Sequence, residues 1–138
     1  MPHRFRIDPW LEAQSAPIGE LPLCAVLLRD DSRFPWLVLI PRQPGLVEIF
    51  DLSALDRTRL IEEIALASQI LKAATNCQKL NTAALGLIVH QLHIHIIARF
   101  ADDIAGVGTA WGAGERVPYE TAAREAIVSK LKRGFGFA

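Results

Sequence analysis

The sequence predicts an α+β fold: an antiparallel sheet of about five strands, a long central helix and a C-terminal helix. Short apolar runs come in pairs with turn residues between them, which is typical of antiparallel hairpins. Two longer stretches repeat apolar residues at three- and four-residue steps, which is typical of amphipathic helices. The order strand, strand, helix, strand, strand, helix differs from the alternating series of a parallel sheet. We expect one domain over residues 1–138.

The first half of the chain contains a hairpin in this prediction. Residues 21–30 and 35–42 are apolar runs separated by the turn-forming sequence DDSRF, and Pro41 ends the second run. A fifth strand is expected within residues 46–50. The central helix is predicted over residues 51–75, with Asp51 or Ser53 as its N-cap.

The second half repeats the pattern. Residues 78–86 and 89–100 are predicted strands, with Gly86 in the connection between them. The last helix is predicted over residues 118–134, with Pro118 near its start and Gly134 just after its end.

Composition excludes several classes of function. Lys plus Arg and Asp plus Glu are equal at 15 each, so no bulk field attracts the chain to nucleic acid or to an anionic membrane. No apolar run is long enough to cross a membrane. The two cysteines lack a CxxC spacing and are expected to be reduced, in the cytoplasm. Hydrophobic residues reach 51%, which favours a homodimer.

The segment VHQLHIHIIARF, residues 89–100, places three histidines in an apolar run. Side chains alternate between the two faces of a strand, so parity divides the segment. The apolar, core-facing set consists of Leu92, Ile94, Ile96, Ala98 and Phe100, with His90 where the strand begins. The opposite face carries Gln91, His93, His95, Ile97 and Arg99.

Two imidazoles on one strand face suit chemistry at a phosphorus atom. Residues two apart stand ~6.6 Å apart along a strand, so one imidazole can attack while its neighbour hydrogen-bonds the group being displaced or stabilised. A neutral imidazole is nucleophilic near pH 7 when its other nitrogen is held by an acceptor such as a backbone carbonyl. Arg99, on the same face, would favour an anion.

Two alternative roles stay open for His93 and His95. They could be satisfied or exposed strand residues without a function in chemistry. They could also be two zinc ligands, but a zinc site needs a third protein ligand and no CxxC or HExxH partner occurs. His3 lies near the terminus and His90 faces the other way. We therefore expect no metal and no cofactor.

The sequence QLHIHII resembles the signature of the histidine triad superfamily, in which three histidines alternate with hydrophobic residues. The resemblance extends over residues 21–100, because WLVLIPR, the long helix, KLNTAALG and the histidine strand follow in the family's order. It implies a dimeric α+β domain that hydrolyses or transfers nucleotides at the α-phosphate. By the same resemblance His93 is the nucleophile, forming a nucleotidyl-histidine, and His95 contacts the phosphate region.

The resemblance also assigns binding residues. Asn81 matches an asparagine on the nucleotide side of the pocket, and Gly86 matches a glycine that precedes the triad. For Asn81 a turn or strand-end role is an equal alternative.

Three departures from the family pattern stand out. Gln91 occupies the first triad position, so an amide replaces a group that can titrate, and we expect it to bind and orient the substrate rather than exchange protons. Trp36 stands where many members have a further histidine, and Leu87 and Ile88 replace a more polar stretch. A Gln-first triad resembles a bacterial subgroup known as dinucleoside-polyphosphate hydrolases. The rival interpretation is a nucleotide-binding module that no longer cuts.

Two further features have structural and functional interpretations. Trp36 and Trp111 are expected to be core and loop anchors, the alternative being that one stacks on a base. Asp102 and Asp103 are expected to form a solvated turn rather than a magnesium site.

Overall fold

A computed structural model describes residues 4–138, so His3 lies outside the described residues. It contains one antiparallel sheet in the order β1-β2-β3-β5-β4. The strands are β1 (Ser15–Glu20), β2 (Cys24–Arg29), β3 (Trp36–Pro41), β4 (Lys79–Ala83) and β5 (Ile94–Arg99). The predicted α+β class and the count of five strands are confirmed.

In residues 4–138 three α-helices accompany the sheet: α1 (Pro9–Ala13), α2 (Ala54–Thr75) and α3 (Thr121–Phe135). Ser53 is the N-cap of α2, and its hydroxyl accepts a hydrogen bond from the amide of Asp56. The predicted alternative cap, Asp51, instead belongs to a short 3₁₀ turn. Helix α3 continues through the predicted stop at Gly134 to Phe135, and its C-cap is Gly136, which adopts the left-handed conformation.

The prediction of a fifth strand within residues 46–50 was wrong. The Asp51 carboxylate accepts hydrogen bonds from the amides of Val47 and Glu48, and this local bonding curls the chain into the 3₁₀ turn. The fifth strand is β1, whose Pro17 and Gly19 hid it in the sequence. It is an edge strand, where proline is tolerated, and its pairing with β2 is irregular between those two residues.

The sheet buries both faces. Helices α2 and α3 cover one face, against inward residues of the central strands such as Leu28, Leu39 and Ile96. The other face packs under residues from the N-terminal segment and from the loop after β5, including Leu11 and Ala110. It is this second face, away from the long helices, that presents His95. No helix among residues 4–138 is long and apolar enough to span a bilayer.

The predicted strand over residues 89–100 is shorter in the structure. Only Ile94–Arg99 is β-strand, and the preceding residues are irregular backbone. The predicted parity holds within β5, because Ile94 and Ile96 lie in the core under the helices while Ile97 lies in the opposite cluster. His90 is exposed rather than turned to the core, since the strand has not yet begun there.

Candidate active site

His93 lies immediately before β5, where the irregular backbone lets its ring bend back on the chain. Its Nδ1 is 2.7 Å from the carbonyl oxygen of Gln91. Because a carbonyl can only accept, Nδ1 carries the hydrogen and Nε2 keeps a free lone pair when the ring is neutral. This is the arrangement that a nucleophilic imidazole needs.

His95 has the opposite tautomer. The indole N–H of Trp36, on the adjacent strand β3, donates to His95 Nδ1 at 3.0 Å. An indole can only donate, so the hydrogen of a neutral His95 sits on Nε2. Burial, reinforced by His93 and Arg29, lowers the pKa of His95 to about 3. His95 is therefore a neutral hydrogen-bond donor at physiological pH.

The two rings are in contact, with centroids 4.8 Å apart and planes at 75°. They line a cavity of about 450 Å³ whose remaining wall is largely apolar: Trp10, Arg29, Leu85, Gly86, Leu87, Ile88, Val89 and Trp111. A lone pair on one ring and an N–H on the other thus meet at the same small space. In chemical terms this is a nucleophile beside a donor for an anionic oxygen.

Gly86, Leu87 and Ile88 form the wall before the histidines. Gly86 has φ of +107°, a conformation that other residues rarely adopt, which explains a glycine at this predicted site position. Leu87 and Ile88 are 93% and 82% exposed. Leu87 and Ile88 therefore give the cavity an apolar rim at the positions where they replace a more polar stretch of the family pattern.

The side chain of Gln91 does not enter this cavity. Its amide nitrogen donates to the carbonyl of Arg6 at 2.7 Å, and its carbonyl oxygen accepts from the amide of Asp8 at 2.8 Å. The expected role of Gln91 in orienting substrate is therefore not the role this geometry gives. The side chain holds the N-terminal segment, and Asp8 in turn caps α1.

Trp36 is also placed differently from a substrate-binding residue. It is 2% exposed and packs beside His95, so it positions His95 instead of stacking on a base. The structural interpretation of Trp36 is the one that its burial supports. Trp111 is 37% exposed, contacts both Trp36 and His95 edge to face, and borders the cavity.

Arg99 and Asn81 lie away from the histidine cavity. The Arg99 guanidinium forms a two-point ion pair with Asp103 and also donates to the side-chain oxygen of Asn81 and to the carbonyls of Gly106 and Gly108. These contacts use all five of its N–H groups, so the geometry favours a loop-holding role over the predicted contact with a substrate anion.

Asp103 completes that arrangement. Hydrogen bonds from Arg99 lower the pKa of Asp103 to about 2. The expected turn forms at Asp102 and Asp103, and Asp102 is exposed, but the Asp103 side chain is only 6% exposed and is held in the ion pair instead of being solvated. Asn81 borders a second cavity, of about 780 Å³, which shares Trp111 with the first.

Arg29 and Trp10 are cavity residues that the sequence interpretation missed. Arg29 ends β2, one residue past the pairing of Leu28 with Leu37, so it faces the same side as Trp36. Strand parity from Leu27 and the hairpin register could have identified it. Trp10 had no such signal, because its segment is placed by two hydrogen bonds with Gln91, which is distant in the sequence.

Within residues 4–138 no three His, Cys, Asp or Glu side chains gather in a way that could hold a metal ion. The zinc alternative for His93 and His95 thus lacks a third ligand in the described part of the chain.

Comparison with known proteins identifies relatives of the whole arrangement. The HIT domain family matches residues 11–102. A solved histidine triad protein from Bradyrhizobium japonicum has 39% identity and a TM-score of 0.92, covering 96% of this chain and 98% of that one. Those from Sinorhizobium meliloti and Marinobacter aquaeolei have 38% and 35% identity and TM-scores of 0.91 and 0.93. They cover 94% and 97% of this chain, and 96% and 98% of their own. Among curated proteins none matches the sequence.

Proposed function

Because this chain belongs to the HIT domain family, we propose that it is a hydrolase or nucleotidyl transferase acting at a nucleotide α-phosphate through a nucleotidyl-histidine intermediate. The main support is the pair of opposite tautomers described above. His93 offers a lone pair on Nε2, while His95 offers a hydrogen on Nε2, and the two rings touch. Transfer at phosphorus through a covalent histidine intermediate is favoured by this combination of nucleophile and oxyanion donor.

In the first step Nε2 of His93 attacks the α-phosphorus, and the bond from phosphorus to the leaving group breaks with its electron pair going to the leaving atom. The Gln91 carbonyl stabilises the positive charge that develops on the ring through the Nδ1 hydrogen. His95 donates to a non-bridging phosphate oxygen. In the second step water or another acceptor attacks phosphorus, the phosphorus–nitrogen bond breaks, His93 regains its lone pair and a proton leaves to solvent.

The leaving group in this proposal departs as an anion. With a pKa of about 3, His95 is neutral and gives a hydrogen bond instead of a proton. The described residues that line the cavity include no carboxylic acid. A phosphate can leave without being protonated, whereas an amine cannot. We therefore favour phosphoric anhydrides, such as dinucleoside polyphosphates, over phosphoramidates, in line with the subgroup that has glutamine first in its triad.

The alternative is a nucleotide-binding module without turnover. Its support is that Gln91 points its amide at the N-terminal segment and that the rim residues are apolar. Such a module would bind a mononucleotide saturably and release it unchanged.

One experiment separates these functions. The protein is incubated with a diadenosine polyphosphate or with adenosine 5′-phosphoramidate, quenched rapidly and examined by mass spectrometry for a nucleotidyl group on His93. Product formation and calorimetric binding are measured alongside. His93→Ala should abolish both adduct and turnover, whereas the matched control His90→Ala, an exposed residue outside the cavity, should keep both. Turnover that survives intact in His93→Ala would refute the proposed reaction at His93. Nucleotide binding without turnover in the unmodified protein would instead establish the binding module.

We further propose a homodimer in the cytoplasm. Strand β4 ends the sheet, and the part of the chain that the structure describes leaves its outer edge unpaired. Apolar side chains stand exposed after it, including Leu85 and Leu87. Unpaired edges and apolar patches are typical of contact surfaces. Both cysteines are buried and free, as expected in a reducing compartment. Light scattering should give a mass near twice 15.2 kDa.

A further inference from the structure

Arg29 is a cation at the edge of the histidine cavity that has no ionic partner in the described part of the chain. Among residues 4–138 its buried Nε has no hydrogen-bond partner, and no carboxylate lies within 4 Å of it. The carboxylate of Asp31, whose charge acts on Arg29, is already bonded at two points to Arg33. Because partly buried arginines are normally paired, this one has spare binding capacity.

Aromatic rings hold the guanidinium in place. Its central carbon lies 4.8 Å from the ring centre of Trp36 and 5.7 Å from that of Trp10. Cation–π contacts stabilise the charge without using the N–H donors, which point outward from the planar group. Burial lowers the pKa of Arg29 from its ordinary value, yet a guanidinium stays charged at neutral pH.

Arg29 lies on the same side of the sheet as the proposed catalytic residues, His93 and His95. Arg29, Trp36 and His95 belong to three adjacent strands and point to the same face of the sheet, with His95 opposite Val38 in the strand pairing. Arg29 also lines the cavity with His93 and His95 and adds to the lowering of the His95 pKa. The positive charge of Arg29 therefore contributes to the electrostatic potential at His95.

We propose that Arg29 binds a second phosphate of the nucleotide, beyond the one attacked at His93, and so sets the specificity of this site. The proposal rests on the proposed function for the position of the first phosphate. That second phosphate belongs either to the leaving group or to the ribose. In both cases the shared chemistry is a two-point contact between a guanidinium and a phosphate.

The test compares three adenine nucleotides by calorimetry: AMP with one phosphate, ADP with a second on the leaving side, and adenosine 3′,5′-bisphosphate with a second on the ribose. One of the two-phosphate nucleotides should bind about 10- to 100-fold more tightly than AMP, as expected for hydrogen bonds to a charged group. Which of the two it is identifies the source. In Arg29→Gln the ratio of affinities between the preferred two-phosphate nucleotide and AMP should fall to within about 3-fold of unity, whatever the change in AMP affinity itself.

Two controls keep the outcome decisive. Arg29→Lys retains the charge and should retain part of the preference, which a folding defect would not do. Arg59→Gln removes an exposed charge from α2, on the face of the sheet opposite the cavity, and should leave the preference unchanged. Equal affinity for all three nucleotides, or a preference that persists in Arg29→Gln, would overturn the proposal.

The two proposals fail separately. If the protein forms the His93 adduct but shows no preference for a second phosphate, only the role of Arg29 is contradicted. If the protein shows a preference that depends on Arg29 but never forms the adduct, only the proposed reaction is contradicted, and the binding module is supported.

Discussion

Replacing Trp36 by phenylalanine tests how His95 is kept in its Nε2–H tautomer. The substitution keeps an aromatic ring on β3 but removes the indole N–H that donates to His95 Nδ1 at 3.0 Å. With that donor gone, Nδ1 and Nε2 compete for the single hydrogen of a neutral imidazole. We expect a mixture of tautomers, of which only one can donate to a phosphate oxygen.

The cost in stability follows from two contributions. Leaving the buried Nδ1 without a donor costs about 1–3 kcal/mol. The smaller ring leaves a space on the order of 40 Å³, which at ~24 cal/mol per Å³ adds about 1 kcal/mol. The free energy of unfolding should therefore fall by about 2–4 kcal/mol, which a domain with a typical ~5–15 kcal/mol survives.

Three measurements follow the change. Denaturant titration gives the loss in unfolding free energy, and ¹⁵N NMR shifts of the His95 ring give the tautomer ratio. The rate of nucleotide transfer to His93 should fall by about 10-fold or more, since loss of a donor to a developing oxyanion is costly.

The matched control is Phe34→Leu, which disturbs the same apolar cluster but leaves the indole donor in place. It should lose stability while keeping the His95 tautomer and the transfer rate. If Trp36→Phe keeps a single Nε2–H tautomer and an unchanged rate, the indole hydrogen bond does not determine the state of His95 and the reasoning is wrong.

Three further predictions concern acid stability, the N-terminal segment held by Gln91, and the loop held by Arg99. The pKa of His95 is about 3 in the folded protein and 6.5 in the unfolded chain, so between these pH values the unfolded chain binds one more proton. The free energy of unfolding should therefore fall as the pH drops from 6.5 to 3, by up to about 5 kcal/mol. Urea titrations across this range should show a flatter profile in His95→Asn, and an identical slope in both proteins would contradict it. Gln91→Ala removes two hydrogen bonds to the N-terminal segment, so the Asp8 amide should exchange its hydrogen about 10-fold faster or more. The rate of nucleotide transfer to His93 should change little. An unchanged exchange rate at Asp8 would contradict the assigned contact. Arg99→Lys keeps the charge but loses the fork that binds Asp103, and should cost about 1–3 kcal/mol in urea titration; a loss below ~0.5 kcal/mol would show that the ion pair does not hold the loop.

The fold could be predicted wherever hydrophobic pattern and turn chemistry agreed. The hairpin of β2 and β3, the long helix and the face-sorting within β5 all follow from local patterns of period 2 or 3.6. Strand β1 escaped because Pro17 and Gly19 break the pattern, and only pairing with β2 makes it a strand. Conversely, residues 46–50 looked like a strand until side-chain bonding by Asp51 decided their conformation.

The site could be predicted in part for the same reason. His93 and His95 line one cavity, as their spacing indicated, and the carbonyl that the chemistry requires lies two residues before His93. Arg99 shares their parity but meets Asp103 four residues later, which uses its donors within the protein. Parity identifies the face of a sheet; it does not reveal which partner a long side chain finds there. Arg29 could be assigned to the face of Trp36 from the register of the β2–β3 hairpin, but its position beside His95 required the pairing of β3 with β5.

Glutamine in the first triad position acquires a specific meaning from these contacts. The hydrogen on His93 Nδ1 is held by the backbone carbonyl of residue 91, which any residue type provides. The side chain at that position is therefore free for another task, and here it fixes the segment that brings Trp10 to the cavity wall. Trp10 in turn lies against Arg29. A change at position 91 should thus alter the wall that selects the substrate more than the tautomer of the nucleophile, so the amide alone is no reason to infer a site that has lost its chemistry.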